Sequence, residues 1–185
     1  MTQNGDELPQ GQRGMYAYDM DLRKGRAAYD IPKVFSANAS YQLPFGNNLT
    51  GVARALTAGW QVNTIVSLMD GYALSVEEQS QAQILRFSDT ESLRPDLVPG
   101  GNDNPVTGDP DRWYDVSQFQ PARIGYFGNV SRGTVRSPGL ATVDLSVFKN
   151  IEVGLGRLQF RFETFNLFNR TNFGTPDMVA FIDER

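Results

Sequence analysis

Apolar and polar residues alternate in two neighbouring segments within residues 139–174. Residues 142–147 read TVDLSV and residues 158–163 read LQFRFE, so every second side chain is apolar in both. A period of two places alternate side chains on opposite faces of a β-sheet. Residues 153–157, VGLGR, supply the glycines that a chain reversal needs. The two segments therefore predict a β-hairpin with one apolar and one charged face.

The same alternation marks two earlier segments. Residues 33–43 carry apolar side chains at positions 35, 37, 39, 41 and 43, and residues 60–68 carry them at positions 60, 62, 66 and 68. We predict that residues 33–43, 60–68, 142–149 and 158–164 form antiparallel strands of one curved sheet. One continuous face of that sheet should be apolar. Its predicted members are Phe35, Tyr41, Val62, Val66, Leu145, Phe160 and Phe162.

The segments between these strands are less regular. After the turn dipeptide Asp70-Gly71, residues 72–78 predict a strand that pairs with residues 60–68 as a hairpin. Residues 49–58 predict a short helical or irregular link. Gly, Pro, Asn and Asp accumulate in residues 79–140, which predict a long irregular loop region.

The whole chain, residues 1–185, is predicted to be a single all-β segment built on this antiparallel curved sheet. Residues 1–30 are polar and predict an N-terminal loop, with a weak strand near residues 15–20. The apolar face can point inward, in a soluble sandwich or small barrel, or outward to lipid, in an outer-membrane barrel. Period alone does not separate the two architectures, because the same pattern serves both.

The composition excludes several kinds of site. The sequence has no Cys and no His, so disulfides, thiol nucleophiles, Ser-His-Asp triads and most zinc sites are absent. Lys and Arg number 17 against 21 Asp and Glu, and the net charge of −4 disfavours binding to nucleic acid. The polar N-terminal residues contain no signal-peptide pattern, and no run approaches the roughly 18 apolar residues of a membrane helix. By itself, this predicts a cytoplasmic or truncated chain.

One segment groups the acidic residues that a metal site needs. Residues 103–111, DNPVTGDPD, bring Asp103, Asp109 and Asp111 close in sequence, and carboxylate oxygens suit Ca²⁺. The spacing departs from the EF-hand pattern, so the segment is either a calcium site or a solvated extracellular loop. Without His or Cys, a hydrolase acting on an ester or lactone would use Asp109 and Asp111 as acid and base, helped by a metal that activates water.

Charged and aromatic residues on the strands have structural interpretations as well. Arg161 and Glu163 share a strand face, and we expect them to pair with Asp144 across the hairpin. Trp60 and Trp113 are either interfacial belt residues of a membrane protein or anchors of a core.

Short sequence motifs, here called words, resemble the C-terminal barrel region of TonB-dependent outer-membrane receptors of the Oar-like group. They appear in the family's order over residues 30–176, and the ordered series is more specific than any single word. The strongest are VDLSVFKN at residues 143–150 and FRFE followed by FNLFN within residues 160–169. The others are DIPKVF at residues 30–35, YQLPFG at 41–46, GWQVN at 59–63, RPD at 94–96, RWYD at 112–115, FGN at 127–129 and NFG at 172–174.

The resemblance implies a partial outer-membrane β-barrel. In the intact family it implies active uptake of a bulky nutrient, powered through an energy-coupling protein. The implied location is the outer membrane, with its lipid as a partner. We expect no cofactor apart from the candidate Ca²⁺, which the acidic residues of 103–111 indicate independently of the resemblance.

The resemblance also implies what these residues lack. The family's plug, its partner-binding box and its aromatic-ended last strand have no counterpart here, so no functional residue carries over and we expect a chain truncated at both ends. A closed barrel needs about eight strands. The isolated segment should therefore self-associate or need detergent, because its sheet edges and apolar face would be open.

Overall fold

The computed structural model describes residues 24–79, 93–123 and 126–182. Contacts between Cα atoms divide the chain into two units. The first, here called the sheet unit, comprises Lys33–Met69 and Leu140–Asn172. The second, here called the core unit, comprises Met1–Pro32, Asp70–Gly139 and Phe173–Arg185. The strand predicted near residues 15–20 lies outside the described residues, and the single segment over residues 1–185 stays a prediction.

The described residues are all-β in character, as predicted, with one short α-helix. In chain order the elements are β1 (Val34–Gln42), α1 (Gly51–Thr57), β2 (Trp60–Met69), β3 (Ala73–Leu74), β4 (Glu77–Gln79), β5 (Asp96–Leu97), β6 (Val106–Asp109), β7 (Arg112–Tyr114), a 3-10 helix (Val116–Gln118), β8 (Phe119–Gln120), β9 (Val135–Arg136), β10 (Leu140–Val153), β11 (Gly156–Thr164) and β12 (Val179–Ile182). Within the described ranges, no helix has the length and hydrophobicity to span a membrane.

The four long strands form the sheet unit. They lie in the order β1-β2-β10-β11, and every neighbouring pair is antiparallel. This confirms the sheet predicted from the alternation of residues 33–43, 60–68, 142–149 and 158–164. The two-residue turn between β10 and β11 begins at Gly154, whose φ of +57° is the left-handed value that suits a tight hairpin.

The register of the sheet separates apolar and polar side chains. Residues that pair across neighbouring strands share a face, and one row across all four strands is apolar. It consists of Tyr41, Val62, Val147 and Phe162. The adjacent row, on the opposite face, is polar. It consists of Ser40, Asn63, Ser146 and Glu163. All seven residues predicted for the apolar face lie on the same face as the apolar row, so that prediction is confirmed.

The core unit is built from short strands around a small buried cluster. β3 pairs with β9, β5 with β8 and β6 with β7, all antiparallel, while β4 and β12 pair in parallel. The buried hydrophobic cluster consists of Leu74, Val76, Tyr114, Phe119, Val130, Val135 and Met178. Ala73, Leu74, Val76 and Val135 are completely inaccessible to solvent. The long irregular region predicted over residues 79–140 thus carries five of these short strands, from β5 to β9.

One pairing prediction is wrong. Residues 72–78 were expected to form a hairpin with residues 60–68, but β2 pairs with β1 and β10 on its two edges. Both hydrogen-bonding edges of β2 are therefore occupied. Residues 72–78 instead contribute β3, which pairs with β9, and the start of β4, which pairs with β12.

Candidate functional site

The apolar face of the sheet unit is exposed. Phe35, Tyr41, Phe160 and Phe162 are 56%, 61%, 57% and 67% accessible. Contiguous apolar surface of this kind marks an interaction with a partner or with lipid. β1, β2 and β11 contain 9, 10 and 9 residues, and a tilted strand needs about 9–11 residues to cross a bilayer. The face has the composition and the strand length of a membrane-spanning surface.

The opposite face is polar and hydrogen-bonded. Gln61 Nε2 donates to Ser40 Oγ and to Asn63 Oδ1, both at 2.9 Å. On the neighbouring strand pair, Gln159 Nε2 donates to Asn150 Oδ1 at 2.8 Å. Polar side chains that bond to each other in this way are typical of the lumen side of a barrel wall.

The predicted ion pair on this face has different partners. Arg161 Nη1 lies 3.8 Å from Glu163 Oε1, and the Arg161 guanidinium lies over the Phe148 ring at 4.7 Å. Asp144 is not part of this group: its carboxylate accepts a hydrogen bond from the Asn166 backbone N–H at 2.8 Å. The expected pairing with Asp144 is wrong, because β11 pairs with β10 only from Leu145 onward.

The FNLFN segment completes an edge that β11 leaves open. β10 has 14 residues and β11 has 9, so the start of β10 extends beyond its partner. The Leu167 N–H donates to the Val143 carbonyl at 2.7 Å, and the Asn172 side chain both accepts from Ala141 N–H and donates to its carbonyl. Side chains and a turn thereby replace a strand along this part of the edge, which limits unwanted pairing.

The chain connections alternate between the two ends of the sheet. β10 joins β11 through Gly154 and Leu155, and residues 43–59 join β1 to β2 at that same end. Residues 70–139 join β2 to β10 at the other end. Strands adjacent in space are therefore adjacent among the long strands of the sequence, the meander order of an up-and-down barrel.

The two tryptophans are both partly buried and both hydrogen-bonded. In the sheet unit, Trp60 Nε1 donates to the Leu56 carbonyl at 3.1 Å. In the core unit, Trp113 Nε1 donates to the Arg136 carbonyl at 2.6 Å. Trp60 lies on the exposed apolar face, whereas Trp113 packs against the buried hydrophobic cluster.

Sequence reasoning missed Lys149 on the apolar face. Lys149 pairs with Trp60 on one side and with Phe160 on the other. The signal was available, because Lys149 is the single charged residue in phase with Val143, Leu145 and Val147 before it.

The candidate calcium residues lie in the core unit at or near a hairpin. Asp109 ends β6, and its Oδ1 accepts from the Asp111 backbone N–H at 3.0 Å. Asp103, Asp109 and Asp111 are all exposed. Across the described part of the chain, no three acidic residues stand close enough to hold a metal ion. The calcium site and the Asp109–Asp111 acid–base pair stay predictions.

Two words of the core unit have a structural role. Asp96 Oδ1 accepts from the Asn129 N–H at 2.9 Å, and Asn129 Oδ1 accepts from the Leu97 N–H at 2.8 Å. A Cβ at Gly128 would lie 1.9 Å from the Arg94 carbonyl oxygen, so only glycine fits there. The RPD and FGN words therefore join two distant segments.

Burial and hydrogen bonds shift the pKa values of three side chains in the core unit. Burial raises the pKa of Tyr114 from 10.0 to about 12, and the Asp177 carboxylate adds to the rise. Burial lowers the pKa of Arg94 to about 10, with the Arg132 charge adding to the fall. Hydrogen bonds from Ser117 and Gln118 hold the pKa of Asp115 below its usual value.

A family of known proteins matches the chain and agrees with the barrel-like sheet. The profile of the family described as "Outer membrane beta barrel domain" matches residues 1–181, and the chain belongs to this family. Its membership places the protein in the outer membrane as part of a β-barrel. Searches of curated proteins and of solved structures found no match.

Proposed function

We propose that the chain forms part of the barrel wall of a TonB-dependent receptor of the Oar-like group, which takes up a bulky nutrient. The observation that carries the proposal is the two-faced sheet: one face is apolar and exposed, and the other is mainly polar, with apolar exceptions that include Ile65 and Phe148. A barrel wall needs this division, because it faces lipid on one side and a hydrated lumen on the other.

The ordered words support the receptor group in particular. VDLSVFKN lies on β10, FRFE lies on β11, and FNLFN forms the turn that closes the free edge of β10. GWQVN opens β2, where a Cβ at Gly59 would lie 2.4 Å from the Asn150 carbonyl oxygen. Several of the words that resemble the receptors therefore carry specific contacts in this sheet.

The proposed partners follow from the same surfaces. Outer-membrane lipid covers the apolar face, and further strands pair with the outer edges of β1 and β11. An energy-coupling protein drives transport in the intact receptor. Because bacterial outer-membrane barrels have short periplasmic turns and long external loops, the Gly154–Leu155 turn is periplasmic. The isolated chain should self-associate, since its edges and apolar face are then uncovered.

Single cysteines test the barrel wall directly, because the natural sequence contains none. Ser67→Cys lies on the polar face and Val66→Cys lies beside it on the apolar face. In cells that carry the protein in the outer membrane, a water-soluble maleimide should label Ser67→Cys faster than Val66→Cys. Equal labelling of the two neighbours would contradict a wall between lipid and water.

Energy coupling needs a genetic test. A strain without this protein and a strain without the energy-coupling protein should lose growth on the same bulky nutrient at low concentration, and the double mutant should be no worse. If the strain without this protein grows normally on every nutrient that the energy-coupling mutant fails to use, the barrel belongs to another kind of outer-membrane protein.

A further inference from the structure

A lysine interrupts the apolar face well inside its limits. Lys149 pairs with Trp60 and Phe160 across the two neighbouring strands. Its neighbours in phase along β10, Val147 and Ile151, are apolar. A charged side chain within a lipid-facing apolar band is destabilising, most strongly at the bilayer midplane and less near the surface. Such a residue needs a partner that accounts for its position.

Lys149 is almost completely buried, with 6% of its surface accessible. Its ammonium group donates to the Ala58 carbonyl and lies 5.3 Å from the centre of the Trp60 ring. Within the described part of the chain, it forms no ion pair with a carboxylate. The ammonium thus bonds to the connection between β1 and β2, at the turn end of the sheet, and is shielded from water. Among the described residues, its positive charge has only the Ala58 carbonyl and the Trp60 ring as partners.

An apolar groove of about 360 Å³ is lined in part by Lys149. α1 borders it through Ala55 and Leu56. The residues of the sheet that line it are Trp60, Val147, Lys149, Ile151, Phe160, Arg161 and Phe162. Arg161 belongs to the opposite, polar face by register, and its side chain is 55% accessible. Leu56 and Phe160 are themselves 68% and 57% accessible. The groove therefore combines a hydrocarbon-lined channel with one buried cation.

We propose that this groove binds one anionic phospholipid, with its phosphate against the Lys149 ammonium and an acyl chain along the groove. Charge complementarity selects this occupant, because an apolar peptide would leave the cation without an anion while a phospholipid supplies both an anion and a hydrocarbon chain. The site rests on the proposed membrane position of the sheet. The polar headgroup lies toward the turn end, where the ammonium points.

Trp60 provides a direct reporter of the site. The sequence contains two tryptophans, so the Trp113→Phe chain leaves Trp60 as the single emitter. This full-length chain is placed in phosphatidylcholine vesicles that contain a small fraction of lipid with brominated acyl chains, either phosphatidylglycerol or phosphatidylcholine. Brominated phosphatidylglycerol should quench Trp60 with about a tenfold higher relative association constant, the effect of one charge-assisted hydrogen bond.

Three substitutions separate the effect of Lys149 from that of general surface charge. Lys149→Met should abolish the preference for phosphatidylglycerol, and Lys149→Arg should retain it. Lys33→Met removes the same charge from an exposed position in the sheet unit and should leave the preference unchanged. Circular dichroism checks the strand content of each variant.

The outcomes are distinct. Equal quenching by the two brominated lipids overturns the lipid site while leaving the membrane position intact, and this comparison stands even if Lys149→Met does not fold. If Lys33→Met loses the preference for phosphatidylglycerol, that result also overturns the lipid site. Quenching by neither lipid would overturn the membrane position and the site together.

Discussion

The two units of the chain place the same kinds of side chain in opposite environments. In the sheet unit, Phe162 is 67% accessible, whereas in the core unit Phe119 is 4% accessible. Leu158 and Leu74 differ in the same way, at 48% and 0%. Since burial of apolar surface from water stabilises a fold, the core unit is organised for water. The sheet unit leaves its apolar face exposed, and we propose that lipid covers it.

The units also differ in how they satisfy their backbone groups. The sheet unit relies on long ladders, with nine or ten consecutive paired residues between neighbouring strands. The core unit has strands of two to four residues, so side chains complete its bonding, as Asn104 Oδ1 does for the Arg136 N–H. The core unit therefore depends on individual side chains, and the sheet unit depends on its strand register and its surroundings.

The largest effect should come from the interior of the core unit. Leu74→Ala removes a fully buried side chain and should lower the free energy of unfolding by about 2–5 kcal/mol. The same change at Leu158, on the exposed face, should alter it by within about 0.5 kcal/mol in detergent. Chemical denaturation followed by Trp113 emission and by circular dichroism measures both. Equal losses at the two leucines would remove the contrast between the units.

A charge on the apolar face should act only through lipid. Leu145→Arg should lower stability in vesicles by about 2–4 kcal/mol if the residue lies near the bilayer midplane. Ser146→Arg adds the same charge one residue later, on the polar face, and should change little. The ratio of inserted to free protein after flotation with vesicles reports the difference. The comparison fails if both variants insert as well as the unsubstituted chain.

A smaller effect should appear in the core unit at alkaline pH. Tyr114 has a folded-state pKa of about 12 against 10.0 when unperturbed, so its neutral form favours folding. That contribution is fully present below pH 10 and is lost as pH rises through about 12. Tyr114→Phe keeps the ring and should remove this part of the pH dependence. Identical alkaline unfolding curves for the two proteins would show that the Tyr114 hydroxyl does not contribute.

The sheet unit could be predicted from the sequence because its signal is long. Each strand has nine or more residues, the alternation covers at least six of them in β10 and β11, and every strand shares one apolar face with its neighbours. Even the membership of that face followed from period two alone. The alternation did not predict the hydrogen bond from the Asn166 N–H to the Asp144 carboxylate. This bond forms beside the first residues of β10 and depends on where β11 ends.

The core unit could not be predicted in the same way. β3 and β9 contribute two residues each and pair across sixty residues of sequence, at Leu74 with Val135. Two residues carry no measurable period. The groove beside Lys149 was missed for a related reason, since it requires α1 to lie beside the sheet, and the sequence left residues 49–58 between helix and irregular link.

The contrast between the two units is tested most directly by the fluorescence of one tryptophan in each. Trp113→Phe leaves Trp60 on the apolar face of the sheet, and Trp60→Phe leaves Trp113 against the buried cluster of the core unit. In phosphatidylcholine vesicles whose acyl chains are brominated, our account predicts strong quenching of Trp60 and little quenching of Trp113. Equal quenching of both tryptophans, or of Trp113 alone, would contradict it.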